Sequence, residues 1–440
     1  MYNLALYFLK FLLQSLDRDI SDYLSRCGEV QMNFSDSAAF IVGGKIYTTG
    51  DSIDVDGDTY MIQEFVGKGA MTAVWKAVHK VSEKVVSLRI YLGEISDKSR
   101  ESISMAAATG DVLNRAFFTP KDGKVQRIDK FDSEKFIAVA DFYEGTDLYR
   151  ELENAFRIER GLLALLFLCE GLDIWEEDLA KGGILHRDIK PINVLAYIPP
   201  CGIEGNVAPR FFIIDPDFMI LRAVRIPGAF LTGTPNYIAP EMVRTSEFIY
   251  NHYDLGRLFD PCLNISESDL YAIGATGFVM ATRAPSPFLI MDTGLFEQLN
   301  IVFNSSWQLD NSEDGSSSAV SSEVPDSVPT PVYVRVLNER ANGIFGLDIS
   351  EEFARYSRRC VAENREMESA LDGNDLAEFR EAAGIWAGAS LFIPRVVSKL
   401  VSVALPRFAP AKEVLKGLSQ ESVSEVVGAY YALRSIRDRC

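Results

Sequence analysis

Apolar and polar positions divide the chain into a strand-patterned first third and a helix-patterned remainder. Between Ser35 and Gly57 the sequence is rich in Gly, Asp and Thr, with Ile53 and Val55 alternating. That pattern predicts turns and short strands leading into a sheet. Tyr60 to Val78 holds two β-like runs around a glycine-bearing turn, and Val85 to Arg89 reads as the next strand. Asp97 to Phe117 reads as a helix. Phe131 to Ala140 gives two further strands with a turn at Asp132-Ser133. From Ile158 to Leu179 the apolar residues Leu162, Leu165, Leu166, Cys169, Leu172 and Ile174 recur at helical spacing. Phe211 to Ile214 is a short, buried-type strand. A helix starting at Asp269 is ended by Pro285-Ser286-Pro287, and helical patterns return over Val332 to Leu418 and Val423 to Ile436.

Two stretches depart from this order. Leu4 to Leu13 is strongly apolar, interrupted by Lys10, and a polar helix continues over Asp17 to Leu24. The first stretch predicts a helix docked on the body of the protein or on a partner, with a cleaved or membrane-associated segment as the alternative. Asn304 to Pro331 is rich in Ser, Pro and acidic residues, including Asp310, Glu313, Asp314, Glu323 and Asp326. Such a stretch buries too little apolar surface to offset its ordering entropy, so a disordered insertion is expected.

At 440 residues the chain is long enough for a large core and more than one lobe. Its formal net charge of −18 argues against nucleic acid or an anionic membrane as partner. The six cysteines, Cys27, Cys169, Cys201, Cys262, Cys360 and Cys440, are scattered without a CxxC spacing. A reducing, cytoplasmic setting fits them better than a zinc site or a disulfide framework, and no apolar run is long enough to span a bilayer.

The chemistry concentrates in His186-Arg187-Asp188-Ile189-Lys190-Pro191-Ile192-Asn193. One short loop holds a carboxylate, an amine two residues on and an amide three beyond that, the groups phosphoryl transfer needs. Asp188 can accept the proton of an attacking hydroxyl, Lys190 can neutralise charge on the transferred phosphate, and Asn193 can hold a metal ion. Further along stand Asp215-Pro216-Asp217, Gly233-Thr234-Pro235-Asn236-Tyr237-Ile238-Ala239-Pro240-Glu241 and Asp269-Leu270-Tyr271-Ala272-Ile273-Gly274.

In that order these segments resemble the catalytic loop, metal-binding loop, activation-segment end and buried C-lobe helix of eukaryotic-type protein kinases. The resemblance runs from about Val66 to about Leu418. It implies an α+β, bilobal fold with a small β-rich N-lobe and a larger helical C-lobe. Residues 1–40 would form an N-terminal helical extension, 41–140 the N-lobe, 141–420 the C-lobe carrying the insertion at about 304–331, and 421–440 a closing helix. ATP and Mg²⁺ are the implied cofactors, a protein Ser or Thr hydroxyl the acceptor, with Asn193 and Asp215 as metal ligands and Asp188, Lys190, Asn193 and Asp215 as the catalytic set.

For the nucleotide, the resemblance implies Gly67 and Gly69 in a phosphate-cradling hairpin, Val74 and Leu195 against adenine, Arg89 on the α- and β-phosphates, and backbone groups of Asp141 to Tyr143 at a hinge. It also makes Thr234 a holder of Asp188 and Lys190, and Asp269 an anchor of the catalytic loop. Arg407 would pair with Glu241. Arg187 would grip a phosphate on Thr232, helped by Arg222 or Arg225.

Five positions depart from the family pattern: Thr72 for a glycine, Ser87 for an alanine, Arg89 for a lysine, Pro216 for a phenylalanine, and Thr109 where a helix glutamate is expected. An Arg for Lys exchange keeps the charge but is longer and forked. Three readings therefore stand: an active serine/threonine kinase of reduced rate, a pseudokinase serving as a nucleotide-binding scaffold, and a small-molecule kinase. The last class lacks the counterpart of Lys190 and the segment ending at Glu241.

Overall fold

The computed structural model describes residues 39–68, 72–91, 103–104, 106–109, 123–200, 207–221, 233–234, 237–239, 267–283, 350–401, 408–418 and 420–439. The helical extension before Ala39, the insertion at 304–331, and Gly69, Arg222, Arg225, Thr232, Glu241 and Arg407 lie outside them. The chain divides into two compact units. One comprises the described residues up to Ser104 together with Ile128–Phe142; the other comprises those within Met105–Arg127 and from Tyr143 onward.

The first unit is built on β-strands. Its main sheet contains β3 (Ser52–Val55), β4 (Asp58–Lys68), β5 (Thr72–His79), β6 (Val85–Tyr91), β7 (Ile128–Asp132) and β8 (Ile137–Asp141). They lie in the order β3-β4-β5-β6-β8-β7, every pair antiparallel. The turn between β3 and β4 is Asp56-Gly57, both at positive φ (47° and 82°). Positive φ at both central residues is the hairpin geometry that matches strand twist, and Asp-Gly reaches it at little cost. The shorter hairpin of β1 (Ala39–Val42) and β2 (Lys45–Thr48) turns in the same way at Gly43-Gly44. Its Phe40 stacks on Tyr47 and meets Trp75 at 5.0 Å, so the hairpin closes one face of the sheet's core. Trp75 and Phe40 are each 1% exposed. Burying apolar side chains of this kind stabilises by roughly 1.5–3 kcal/mol apiece.

The turn joining β7 and β8 starts after Asp132, whose carboxylate accepts the backbone N–H groups of Glu134 and Lys135. Asp132 itself ends β7 rather than opening the turn, one residue later than the composition predicts.

The second unit is helical. Its central helix, Arg157–Ile174, is buried on nearly every side, including Leu162, Leu163, Leu165, Leu166, Phe167 and Leu168. A helix apolar all round belongs in the middle of a domain. It packs against the equally buried Ser268–Thr282 helix. Gly277 makes that approach possible: a Cβ there would sit 2.5 Å from a methyl of Leu168. Further helices span Ser350–Ala370, Gly373–Ala389, Phe392–Leu400, Phe408–Lys416 and Gln420–Arg439. No described helix is long and apolar enough to cross a membrane.

The closing helix is fastened by charge. Arg437 Nη1 donates to Glu159 Oε1 at 2.7 Å, and Arg434 pairs with Glu151. Glu159 is 1% exposed. Burial pushes its carboxyl up to about 7, against the pull of Arg437 and of the Phe156 N–H.

Candidate functional site

Two short antiparallel pairs frame the loop 186–193. Before it, β10 (Ile184–Leu185) pairs with β13 (Ile220–Leu221). After it, β11 (Val194–Tyr197) pairs on one side with β12 (Arg210–Ile213), with Val194 opposite Ile213, and on the other with β9 (Thr146–Asp147). The Ile214 N–H then donates to the Asn193 carbonyl at 2.8 Å. This ladder brings the end of the loop, Asn193, alongside Asp215, 22 positions later in the sequence.

The loop is held from beneath. Asp269, at the start of the Ser268–Thr282 helix and 1% exposed, accepts the N–H of His186 on Oδ2 (2.7 Å) and of Arg187 on Oδ1 (2.8 Å). One carboxylate thus satisfies two consecutive buried donors, with Arg187 at a positive φ of 72°. The His186 ring is fully buried; desolvation lowers its pKa, with Asp269, Asp188 and Asp215 opposing. The Arg187 guanidinium is also buried, and desolvation brings its pKa down to about 10 against the pull of Asp269. Its Nε donates to the Phe218 carbonyl at 2.6 Å, tying the loop to the turn after Asp215.

Asp188 is the focus of the polar network. Its Oδ1 accepts the Thr234 hydroxyl at 2.7 Å. Its Oδ2 accepts Lys190 Nζ at 2.7 Å and Asn193 Nδ2 at 3.1 Å. Lys190 Nζ also donates to Thr234 Oγ1 at 2.8 Å, and Asn193 Nδ2 to the Asp188 carbonyl at 2.9 Å. Asp188, Lys190, Asn193 and Thr234 are therefore brought together as one cluster. Gly233 lets Thr234 come so close: at φ +125° a Cβ there would lie 2.4 Å from the Arg187 carbonyl oxygen.

Asp215 adopts the left-handed conformation, φ 69° and ψ 64°, ahead of the tight turn Pro216–Phe218. Its N–H donates to Gln126 Oε1 at 3.1 Å. Pro216 and Asp217 are buried. Leu195 lies in β11 opposite Phe212 and Asp147. Tyr143 stacks on Phe212 at 4.5 Å and donates its hydroxyl to the Gly123 carbonyl at 2.8 Å.

The strand unit carries the remaining expected residues. Gly67, Val74 and Arg89 form one cross-strand row, Gly67 opposite Val74 and Val74 opposite Arg89, with Ala138 next. Arg89 is 3% exposed. Asp141 ends β8, where its Oδ1 accepts Lys84 Nζ at 3.0 Å; the same amine reaches Asp129 at 2.9 Å. Burial works against that ammonium, yet Asp141 and Asp129 together raise its pKa. Residues 106 to 109 are helical, and Thr109 is buried.

The donor set suits a hard divalent cation. Asn193 turns its nitrogen to Asp188, which leaves its side-chain oxygen directed away, while Asp215 contributes a carboxylate from the adjoining strand end. Amide and carboxylate oxygens are the hard donors Mg²⁺ prefers, with water and phosphate oxygens completing its octahedron. Sequence reasoning missed Gln126 and Lys84. Neither stands in a motif, and both acquire their partners only through folding.

No family model matches the chain. Over 260 residues it is 26% identical to the smooth muscle myosin light chain kinase of Gallus gallus, a match covering 58% of this chain and 12% of that protein. It is 27% identical over 205 residues to the serine/threonine-protein kinase fused of Drosophila melanogaster, covering 44% and 22%. The serine/threonine-protein kinase PknA of Corynebacterium glutamicum is 26% identical over 250 residues, covering 52% and 44%. The matched region thus spans less than half the length of each of these relatives.

Proposed function

The chain is a relative of the eukaryotic-type serine/threonine protein kinases, and from that premise we propose that it transfers the γ-phosphate of ATP to a serine or threonine hydroxyl of a protein. The observation carrying this reading is the closed network Asp188–Lys190–Thr234–Asn193. In it Asp188 is the base. The acceptor hydroxyl gives its proton to this carboxylate as its oxygen attacks the γ-phosphorus, and ADP departs. Lys190 sets a positive charge beside that carboxylate at 2.7 Å, so developing negative charge on the phosphoryl group is neutralised where it forms. Thr234 fixes the rotamer of Asp188, and preorganisation of this kind removes reorganisation from the barrier.

Asn193 and Asp215 would hold Mg²⁺, whose chemistry is to neutralise the phosphate oxygens and orient the chain of phosphates. On the strand unit, Gly67 offers backbone N–H without side-chain obstruction, Val74 offers apolar surface to adenine, and Arg89 offers charge to the α- and β-phosphates; on the helical unit, Leu195 in β11 offers further apolar surface to adenine. Backbone groups of Asp141 and Tyr143 would bond the adenine edge. Gly69 belongs to the same phosphate cradle. Phosphorylation of Thr232 would engage Arg187, and Glu241 with Arg407 would form a structural ion pair.

A second reading, a pseudokinase scaffold that binds nucleotide without transfer, is favoured by Pro216. It is buried in the turn after Asp215, where its ring stiffens the backbone. Nucleotide binding itself is tested by melting the protein with and without ATP and Mg²⁺. A ligand at a hundredfold excess over its Kd stabilises by about 2.7 kcal/mol. Both readings expect a rise in Tm, with its Mg²⁺-dependent part abolished in Asp215→Ala. An unchanged Tm at millimolar ATP and Mg²⁺ contradicts them.

A further inference from the structure

Gln126 lies in no strand or helix, yet its surroundings are among the most constrained in the helical unit. Gly123 accepts the Tyr143 hydroxyl on its carbonyl. The Lys124 N–H donates to Asp178 Oδ2 at 2.9 Å, and its Nζ meets Glu170 Oε1 at 2.5 Å. The Ile213 N–H donates to the Lys124 carbonyl, and the Gln126 N–H returns a bond to the Ile213 carbonyl, both at 2.8 Å. Val125 between them is 1% exposed. Every residue from Gly123 to Gln126 is thus fastened to the central helix, to the π-helical turn Trp175–Ala180 that holds Asp178, to Tyr143, or to β12.

From that rigid base the Gln126 side chain, 4% exposed, presents Oε1 to the Asp215 N–H at 3.1 Å. The donor being a backbone N–H, the acceptor must be the oxygen, which fixes the orientation of the amide. The bond lands on a strained residue. Asp215 is a non-glycine at φ 69°, a conformation that persists only when its neighbours over-determine it. Rotating the Asp215 backbone out of this conformation would swing its carboxylate away from the Asn193 end of the ladder and break the bond to Gln126.

We propose that Gln126 is a positioning residue that holds the Asp215 carboxylate for the metal-bound nucleotide. This rests on the reading of Asp215 as a metal ligand. Gln126 touches neither the reacting atoms nor the metal; it acts through the backbone of Asp215. Outer partners of this kind typically contribute about 10–100-fold in metal affinity.

The test is Mn²⁺ titration of the protein saturated with ADP, read by electron paramagnetic resonance, beside binding of ADP alone in EDTA. Gln126→Met keeps the length and removes the acceptor. It should weaken Mn²⁺ binding about 10-fold and leave metal-free ADP binding unchanged. Gln126→Glu restores an acceptor and should recover most of the Mn²⁺ affinity. If Gln126→Met does not fold, Gln126→Asn, one methylene too short to reach the Asp215 amide, takes its place. A Met variant that binds Mn²⁺ as wild type does, or that loses metal-free ADP binding in equal measure, overturns the proposal. Asp215→Ala in the same titration separates the two claims. If it leaves Mn²⁺ binding intact, the ligand reading and this inference both fail; if it abolishes binding while Gln126→Met does not, the inference alone fails.

Discussion

Thr234 donates its hydroxyl to Oδ1 of Asp188 at 2.7 Å, a bond between residues 46 positions apart. It joins the loop carrying the proposed base to the segment holding Gly233 and Thr234. Lys190 bonds both partners, so losing the hydroxyl frees Asp188 and Lys190 to rotate together. Thr234→Val keeps the shape and removes the donor. Its kcat should fall by about 10-fold or more, while ATP affinity holds, because the bond orients the base and not the nucleotide. Steady-state kinetics with a generic Ser/Thr peptide checks this, and an unaltered kcat contradicts it.

Asp269 serves a different end. It is buried and accepts two backbone donors that have no water to turn to. Asp269→Ala should lower unfolding stability by roughly 2–5 kcal/mol, the cost of leaving buried donors unmet. Urea denaturation measures it, and a loss under about 1 kcal/mol would mean that the loop is held by other means.

Glu159 predicts a pH effect on stability. Its carboxyl titrates at about 7 in the folded protein, raised by burial, and near the ordinary value of about 4.3 when unfolded. Between those values the folded state binds more protons, so this residue's contribution to stability falls as pH rises, the fall being complete above about 7. Below about 4.3 both states are protonated and the contribution is at its greatest. Glu159→Gln removes the titration. The stability of wild type relative to Glu159→Gln should therefore drop between pH 5 and pH 8, by about 1–3 kcal/mol. A difference independent of pH, or one that rises, contradicts the raised carboxyl.

The residues read most directly from the sequence are those whose chemistry is local. Asp188, Lys190 and Asn193 fall within eight consecutive residues, and the α+β, bilobal fold is what the resemblance carried by the motifs implies. Thr234 and Asp269 were legible through the short motifs around them. Gln126 was not, because nothing in Lys124-Val125-Gln126-Arg127 distinguishes a solvated loop from a fastened one until β12 lies beside it. The Glu159–Arg437 pair spans 278 positions, and such a bond is set by helix packing rather than by any nearby pattern. Arg187 shows the mixed case. On the resemblance, its place before Asp188 raises the expectation of a regulatory phosphate, whereas its Nε bond to the Phe218 carbonyl depends on how the turn after Asp215 folds back.

The most direct test of phosphoryl transfer is the rate at which wild type and Asp188→Asn move labelled γ-phosphate from ATP to a Ser/Thr protein substrate in the presence of Mg²⁺. Asparagine keeps the shape of the side chain and its bond from Thr234, but cannot take the proton. With Asp188 as base, transfer should be measurable in wild type and fall by about 10²–10⁴-fold in the variant, while ATP with Mg²⁺ still raises the Tm of both. A wild-type protein that binds ATP with Mg²⁺ yet transfers no phosphate, or an Asp188→Asn variant as fast as wild type, would contradict the account.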